Sequence, residues 1–170
     1  MRRWFTFPNP VNEKAARVVA TGAVLLSVAF VATQAAWLLF PLAFGFVARV
    51  LAGPRFSPLG RLAVHVIAPR LGPEKNVPGP PKRFAQAIGA TLSIGALVSA
   101  FGFDNVTVAV GLVAMIAAAA FLEAAFGFCL GCVIFAQLMR WGVIPAEICE
   151  SCNDISGRLA ARSASLAASS

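Results

Sequence analysis

The long uncharged runs in this chain limit its fold more than any other feature. No charged residue occurs from Val18 to Ala48 or from Phe84 to Phe103, and Glu123 is the only one between Val106 and Met139. A helix that crosses the hydrocarbon core of a bilayer needs about 20 apolar residues, so these runs are typical of membrane spans. The composition agrees, because the chain is 59% hydrophobic and 12% charged, against about 45–50% and about 25% in soluble domains. It argues against a soluble enzyme and against a disordered chain.

The runs divide into four predicted spans. A single helix over Val18–Ala48 would be about 46 Å long, well over the ~30 Å core, so we expect a break at Thr33-Gln34. We predict an all-α integral membrane protein whose four transmembrane helices form two hairpins. The spans are predicted at about residues 18–33, 35–51, 84–103 and 106–125. Pro41 is expected to kink the second span.

The positions of the basic residues predict the orientation. They concentrate before the first span and between the second and third spans, as Arg2, Arg3, Lys14, Arg17, Arg49, Arg55, Arg61, Arg70, Lys75, Lys82 and Arg83. The opposite turns, Thr33-Gln34 and Asp104-Asn105, carry none. By the positive-inside rule, both termini and the central loop are predicted to be cytoplasmic. This bias accounts for the net charge of +7, so no nucleic-acid partner is expected, and the first run is expected to be a retained helix rather than a signal peptide.

The central loop is predicted to contain a short amphipathic helix over about residues 58–68. Ser57 is a favourable N-cap, and Pro58 suits the first helical position. Apolar residues then recur at helical spacing, as Leu59, Leu62, Ala63, Val66 and Ile67. Such a helix is expected to lie in the membrane interface, with His65, the only histidine, facing solvent or head groups. The proline-rich residues 73–81 are expected to form an extended connector.

The four cysteines lie in the last quarter of the chain and form two C-x-x-C pairs, Cys129/Cys132 and Cys149/Cys152. We predict one membrane domain over residues 1–157, in which residues 126–155 form a cytoplasmic segment that holds all four thiols. Gly127 and Gly131 are available to bend the chain there or to pack closely. The low-complexity residues 158–170 are predicted to be disordered.

Two interpretations of the cysteines remain open. The spacing C-x2-C-x16-C-x2-C suits a structural zinc site with four thiolate ligands. Alternatively, a C-x-x-C pair can form a short-loop disulfide or pass a persulfide between its sulfurs. In that case Cys129/Cys132 is expected to hold the reactive thiolate. The reason is that acidic side chains lie near only the other pair in sequence, as Glu147, Glu150 and Asp154.

Glu123 is the one ionisable residue inside an apolar run. An acid within a membrane is a candidate functional residue. Its predicted depth, near the interface, favours a solvated or arginine-paired carboxylate over a group that handles protons or cations. A small-solute transporter is therefore the least supported function.

The segment Phe126-Gly127-Phe128-Cys129-Leu130-Gly131-Cys132 resembles the signature of a bacterial four-helix membrane family of unknown function. Residues 7–12 and 83–86 match the same family, so the resemblance covers about residues 7–155. Relatives occur fused to, or encoded near, thioredoxin-like and rhodanese-type sulfurtransferase proteins. The resemblance implies thiol or sulfur chemistry at the bacterial plasma membrane with such a soluble partner. It carries over no catalytic residue and leaves both enzymatic activity and oligomeric state undecided.

The leading hypothesis is a membrane-embedded thiol-redox or sulfur-relay protein that uses Cys129, Cys132, Cys149 and Cys152. No cofactor is assigned under this hypothesis. The alternative is a non-enzymatic membrane scaffold in which the same four cysteines bind zinc.

Overall fold

The computed structural model describes residues 11–53, 56–72 and 76–145, of which 84% are helical. The helices are α1 (Glu13–Thr33), α2 (Leu39–Ala52), α3 (Pro58–Leu62), α4 (Gly79–Gly102), α5 (Val106–Phe126) and α6 (Leu130–Arg140). A 3-10 turn, Ala36–Leu38, precedes α2, while a π-helical turn, Ala63–Ile67, and a 3-10 turn, Ala68–Leu71, extend α3. Two short strands, β1 (Val11–Asn12) and β2 (Asn76–Val77), pair antiparallel. The predominantly helical fold agrees with the predicted class.

Three of the helices, α1, α4 and α5, are long and apolar enough to cross a membrane. They correspond to the first, third and fourth predicted spans. The helix at the second predicted span, α2, is short for a membrane crossing. Together with its 3-10 turn it covers Ala36–Ala52, about 25 Å at ~1.5 Å per residue, against a hydrocarbon core of ~30 Å.

Helices that are consecutive in the chain are not always neighbours in the bundle. In the bundle α1 packs against α5, α5 against α4, and α4 against α2, whereas α1 and α2 make little contact with each other. The α4 and α5 helices therefore form a packed hairpin, whereas α1 and α2, which the turn after Thr33 joins, pack mainly on α5 and α4 rather than on each other. A core of small and branched side chains joins the helices, with Phe30, Leu39 and Val113 fully buried.

Side-chain caps determine where the helices begin. The Asn12 side chain accepts hydrogen bonds from the backbone N–H groups of Lys14 and Ala15, at 2.9 and 3.4 Å. As a result α1 begins at Glu13, five residues before the predicted start of the first span. Asn105 caps α5 in the same way, through Val108 N–H at 3.1 Å, and α5 begins at the predicted residue.

Three prolines, Pro41, Pro80 and Pro81, lie in first helical turns rather than in the predicted kink and extended connector. Pro80 and Pro81 are in the first turn of α4, whose N–H groups need no intrahelical acceptor, so the extended connector ends at Pro78. Pro41 is likewise in the first turn of α2 and does not kink the middle of a span. The early start of α4 places Lys82, which was assigned to the loop, within a helix.

The segment that begins with α3 packs through small residues. The Ser57 hydroxyl accepts a hydrogen bond from Gly60 N–H at 3.3 Å, as expected of an N-cap. Ala63 and Ala68 are buried with residues of α1, whereas two members of the predicted apolar face, Leu62 and Val66, are exposed. The segment also continues to Leu71, beyond the predicted end. His65 is exposed, as expected.

Candidate thiol site

A tight turn after α5 brings the first cysteine pair back against the bundle. Gly127 adopts φ 69°, a left-handed conformation that favours glycine, and its N–H donates to the Glu123 carbonyl at 3.0 Å. Phe128 N–H donates to the Leu122 carbonyl at 3.2 Å. The chain reverses at these two bonds, and α6 begins three residues after Gly127.

The glycine between the two cysteines lets α6 approach α4 closely. A Cβ atom on Gly131 would lie 2.5 Å from Ala85 Cβ and 2.6 Å from Ala85 Cα. One turn further along α6, the Phe135 ring packs on Phe84, with ring centroids 5.6 Å apart. Gly127 therefore serves the turn, and Gly131 serves the contact that holds Cys129-Leu130-Gly131-Cys132 against α4.

Cys129 is the N-cap residue of α6, and Cys132 lies one turn inside the helix. The Cys129 carbonyl accepts hydrogen bonds from Cys132 N–H at 3.0 Å and Val133 N–H at 3.2 Å. Both thiols are free. Cys129 is buried and Cys132 is half-buried. The neighbouring aromatic side chains, Phe126 and Phe128, are both exposed.

The two thiols are electrostatically unequal. The interaction between the two thiols lowers the pKa of Cys129 and raises the pKa of Cys132. For Cys129, burial and the Glu123 carboxylate oppose this effect, while the Lys82 ammonium and the Cys132 backbone N–H add to it. For Cys132, burial raises the pKa further. The arrangement favours a thiolate at Cys129 with a protonated Cys132 beside it.

A buried ion pair lies next to these thiols. Lys82 of α4 donates a hydrogen bond to Glu123 Oε1 of α5, and their side chains are only 8% and 11% exposed. Lys82 interacts electrostatically with both Cys129 and Cys132. The site therefore combines two thiols, one ammonium and one carboxylate from three helices.

Arg49 of α2 extends this polar group into the bundle. Its Nε donates to Gln86 Oε1 at 2.8 Å, its Nη1 lies 3.5 Å from Ser57 Oγ, and its guanidinium stacks 4.7 Å above the Phe46 ring centroid. A cavity of about 50 Å³ lies between Arg49, Gln86 and Glu123. That volume is sufficient for a water molecule among polar partners.

The structure changes several expectations about these residues. Arg49, which the sequence places among the loop charges, is buried, and Glu123, predicted to be solvated or arginine-paired, is buried against Lys82. Glu123 also lies beside Cys129 and Cys132, so the argument that acids lie near only the other pair is wrong in space. Among the described residues, Lys82, Arg49 and Gln86 are the site members that sequence reasoning missed.

The second cysteine pair, Cys149 and Cys152, lies outside the described residues, as does the predicted tail. Within residues 11–53, 56–72 and 76–145, no group of three or more histidine, cysteine or acidic side chains has the arrangement of a metal site. The zinc hypothesis required all four cysteines, so it stays a prediction.

Comparison with known proteins identifies the family. The model of the family described as "Domain of unknown function (DUF4395)" matches residues 11–140. The chain belongs to this family. The matched region includes the three long helices, the Lys82–Glu123 pair and the pair Cys129/Cys132. No curated protein and no solved structure matches the chain.

Proposed function

We propose that this DUF4395 protein is a membrane-embedded thiol-redox or sulfur-relay protein in which Cys129 is the nucleophile and Cys132 the resolving thiol. One observation carries the proposal: a buried cysteine lies at the N-terminus of α6 with its C-x-x-C partner in the first turn of the same helix, and the Lys82 ammonium interacts electrostatically with both. The helix N-terminus, the partner thiol and the Lys82 ammonium favour a thiolate at Cys129 against the opposing effect of burial. The proposed partner is a soluble thioredoxin-like or rhodanese-like protein.

In the thiol-redox form, the Cys129 thiolate attacks one sulfur of the partner's disulfide. The partner's S–S bond breaks, its other sulfur leaves as a thiolate that takes a proton from water, and a mixed disulfide forms at Cys129. Cys132 then loses its proton and attacks the Cys129 sulfur. This step releases the second partner thiolate, which also takes up a proton, and leaves a Cys129–Cys132 disulfide. The partner has gained two electrons, and the dithiol has lost them. A reduced partner runs the same steps in reverse.

The ion pair supplies what each step needs. Lys82 is the counter-ion of the Cys129 thiolate. Glu123, which interacts electrostatically with both thiols, is positioned to receive the Cys132 proton. Once Cys129 is in a mixed disulfide it no longer stabilises the proton on Cys132, so the resolving thiol becomes easier to ionise at the moment it must attack.

We further propose that the site faces the cytoplasm in a chain of four crossings at the bacterial plasma membrane. The loop charges support this orientation. A fourth crossing by Ala36–Ala52 is supported by its antiparallel packing along α4, with local thinning of the bilayer to match its length. Reporter fusions after Gln34 and Asp104 should report the outside, and fusions after Gly72 and Trp141 the cytoplasm. A cytoplasmic signal after Asp104 would contradict this topology.

Trapping experiments test the chemistry. Purified Cys132→Ser, which keeps the nucleophile but lacks the resolving thiol, should form a stable mixed disulfide with oxidised thioredoxin, whereas Cys129→Ser should not. In a second experiment, the same variant is incubated with a rhodanese that carries a labelled persulfide. Labelled sulfur on Cys129, without a mixed disulfide in the thioredoxin experiment, would assign sulfur relay. If Cys132→Ser traps neither partner and its Cys129 thiol reacts like an ordinary cysteine, the proposal fails.

The second cysteine pair provides the control. Cys149→Ser/Cys152→Ser should slow turnover but leave the adduct on Cys129 intact, because the nucleophile is in the other pair. The metal content of the purified wild-type chain and of this double variant should be measured in parallel. About one zinc per chain, lost in the double variant, would favour the zinc scaffold instead.

A further inference from the structure

The weak contact between α1 and α2 leaves a groove on the surface of the bundle. The groove has a volume of about 200 Å³ and lies between these helices and the start of α3. Its walls are almost entirely apolar, formed by Ala23, Leu26, Pro41, Leu42, Phe44, Gly45, Pro58 and Leu59. Phe44, on the outer wall, is 58% exposed, so one side of the groove is continuous with the surface that would meet lipid.

One end of this apolar groove is polar. Arg49 and Ser57 line it there, although Arg49 is only 7% exposed and Ser57 only 1%. The Ser57 hydroxyl accepts hydrogen bonds from Gly60 N–H and Arg49, so its own proton is available to donate. Pro41 lies eight residues before Arg49, about 12 Å along a helix. The groove is thus elongated, with its donors at the end where α2 finishes.

The charge of Arg49 is poorly matched by the protein around it. Within the described part of the chain, its hydrogen bonds go to the neutral oxygens of Gln86 and Ser57. The acidic group that interacts with it, Glu123, is already ion-paired with Lys82. A buried cation with neutral hydrogen-bond partners is costly, and an anion at the groove end would offset that cost.

We propose that this groove binds an anionic phospholipid, with one acyl chain along the α1–α2 gap and the phosphate at Arg49 and Ser57. The volume is below the range of pockets that enclose a drug-sized ligand, which suits one acyl chain rather than a whole lipid. The guanidinium fork matches a phosphate group. In the proposed topology, the polar end faces the cytoplasmic head groups. The lipid site does not depend on the thiol chemistry, and either proposal can fail alone.

Native mass spectrometry of the full chain tests the proposal by titration with two lipids of identical acyl chains, phosphatidylglycerol and phosphatidylcholine. Wild type should retain phosphatidylglycerol selectively. Arg49→Gln should weaken that binding about tenfold, the effect of losing one charge-assisted contact. Arg49→Lys, which keeps the charge, should weaken it less. Arg61→Gln is the matched control, because Arg61 is exposed on α3 outside the groove.

The outcomes separate the alternatives. Equal retention of both lipids by wild type, or equal loss in Arg49→Gln and Arg61→Gln, would overturn the site. Full displacement of phosphatidylglycerol by millimolar inorganic phosphate would also overturn it, because the groove would then bind a free anion rather than a lipid. If Arg49→Gln does not fold, the wild-type lipid comparison and the phosphate competition still decide the question.

Discussion

The buried Lys82–Glu123 pair gives the sharpest prediction about stability. Removing one partner leaves the other charge buried without its counter-ion. Replacing both with methionine leaves neither. We therefore expect Lys82→Met and Glu123→Met each to destabilise the protein strongly, and the double variant to be more stable than either single variant.

The magnitude follows from the exposure of the pair. Side chains that are 8% and 11% exposed belong with buried ion pairs, where loss of one partner costs about 3–5 kcal/mol, rather than with surface pairs worth about 0–1 kcal/mol. The double variant should lie within about 2 kcal/mol of wild type, since apolar replacements of buried pairs are often neutral or stabilising.

Equilibrium unfolding in mixed micelles with increasing sodium dodecyl sulfate measures these differences, with fluorescence from the three tryptophans as the signal. Arg140→Met is the control, because Arg140 is an exposed cation at the end of α6 and its loss should cost less than about 0.5 kcal/mol. If the two single-variant losses simply add in the double variant, the charges act independently. The reasoning from burial would then be refuted.

Two further predictions concern the thiol site. Gly131→Ala should lower the free energy of unfolding by about 1–3 kcal/mol, because the new Cβ would meet the backbone of Ala85. Gly111→Ala is the control: its Cβ would have nothing within 4 Å, so it should be neutral or slightly stabilising. Equal effects in the same unfolding assay would contradict the close packing. Cys132→Ala should raise the pKa of Cys129, because it removes the neighbouring thiol that lowers this pKa. Alkylation of Cys129 at pH 7, followed by mass spectrometry of its peptide, should therefore slow, and its rate profile should shift to higher pH. An unchanged profile would rule out the Cys132 thiol as the cause.

Local rules allowed much of the fold to be predicted. The α5 helix begins at the predicted Val106 because Asn105 caps it, and α1 ends at the predicted Thr33. The errors at other helix starts came from two overlooked local signals. Asn12 is also a capping residue, and Pro80-Pro81 is compatible with a first helical turn, so both helices begin earlier than the uncharged runs alone suggest.

The missed parts of the site depend on contacts between distant segments. Lys82 and Glu123 are 41 residues apart, and Arg49 and Gln86 are 37 apart. Periodicity along one segment carries no information about such pairs. Assigning Lys82 to a loop on the basis of its charge also meant that it was not considered as a partner of Glu123. The sequence identified the cysteines as candidate reactive thiols but not the charges around them. Glu123 lies near the thiols only because the chain reverses at Gly127.

Two basic residues that predict the orientation also bind helix ends, which gives the last prediction. Arg17 of α1 donates to the carbonyls of Ala124 and Ala125 at the end of α5, at 3.1 and 2.8 Å, and Arg83 of α4 donates to Val50 at the end of α2, at 3.1 Å. Each arginine lies near the start of one helix and caps its antiparallel neighbour, where carbonyls and dipole favour a cation.

Arg17→Lys separates the two roles, because lysine keeps the charge that orients the chain but lacks the fork that reaches both carbonyls. We expect unchanged reporter signals after Gln34 and Asp104 together with a loss of about 0.5–1.5 kcal/mol in unfolding free energy. Arg61→Lys, at an exposed position on α3, should change neither. Full stability in Arg17→Lys would mean that charge alone is needed at this position. An altered topology would mean that capping of α5 by Arg17 is required before the helices can orient.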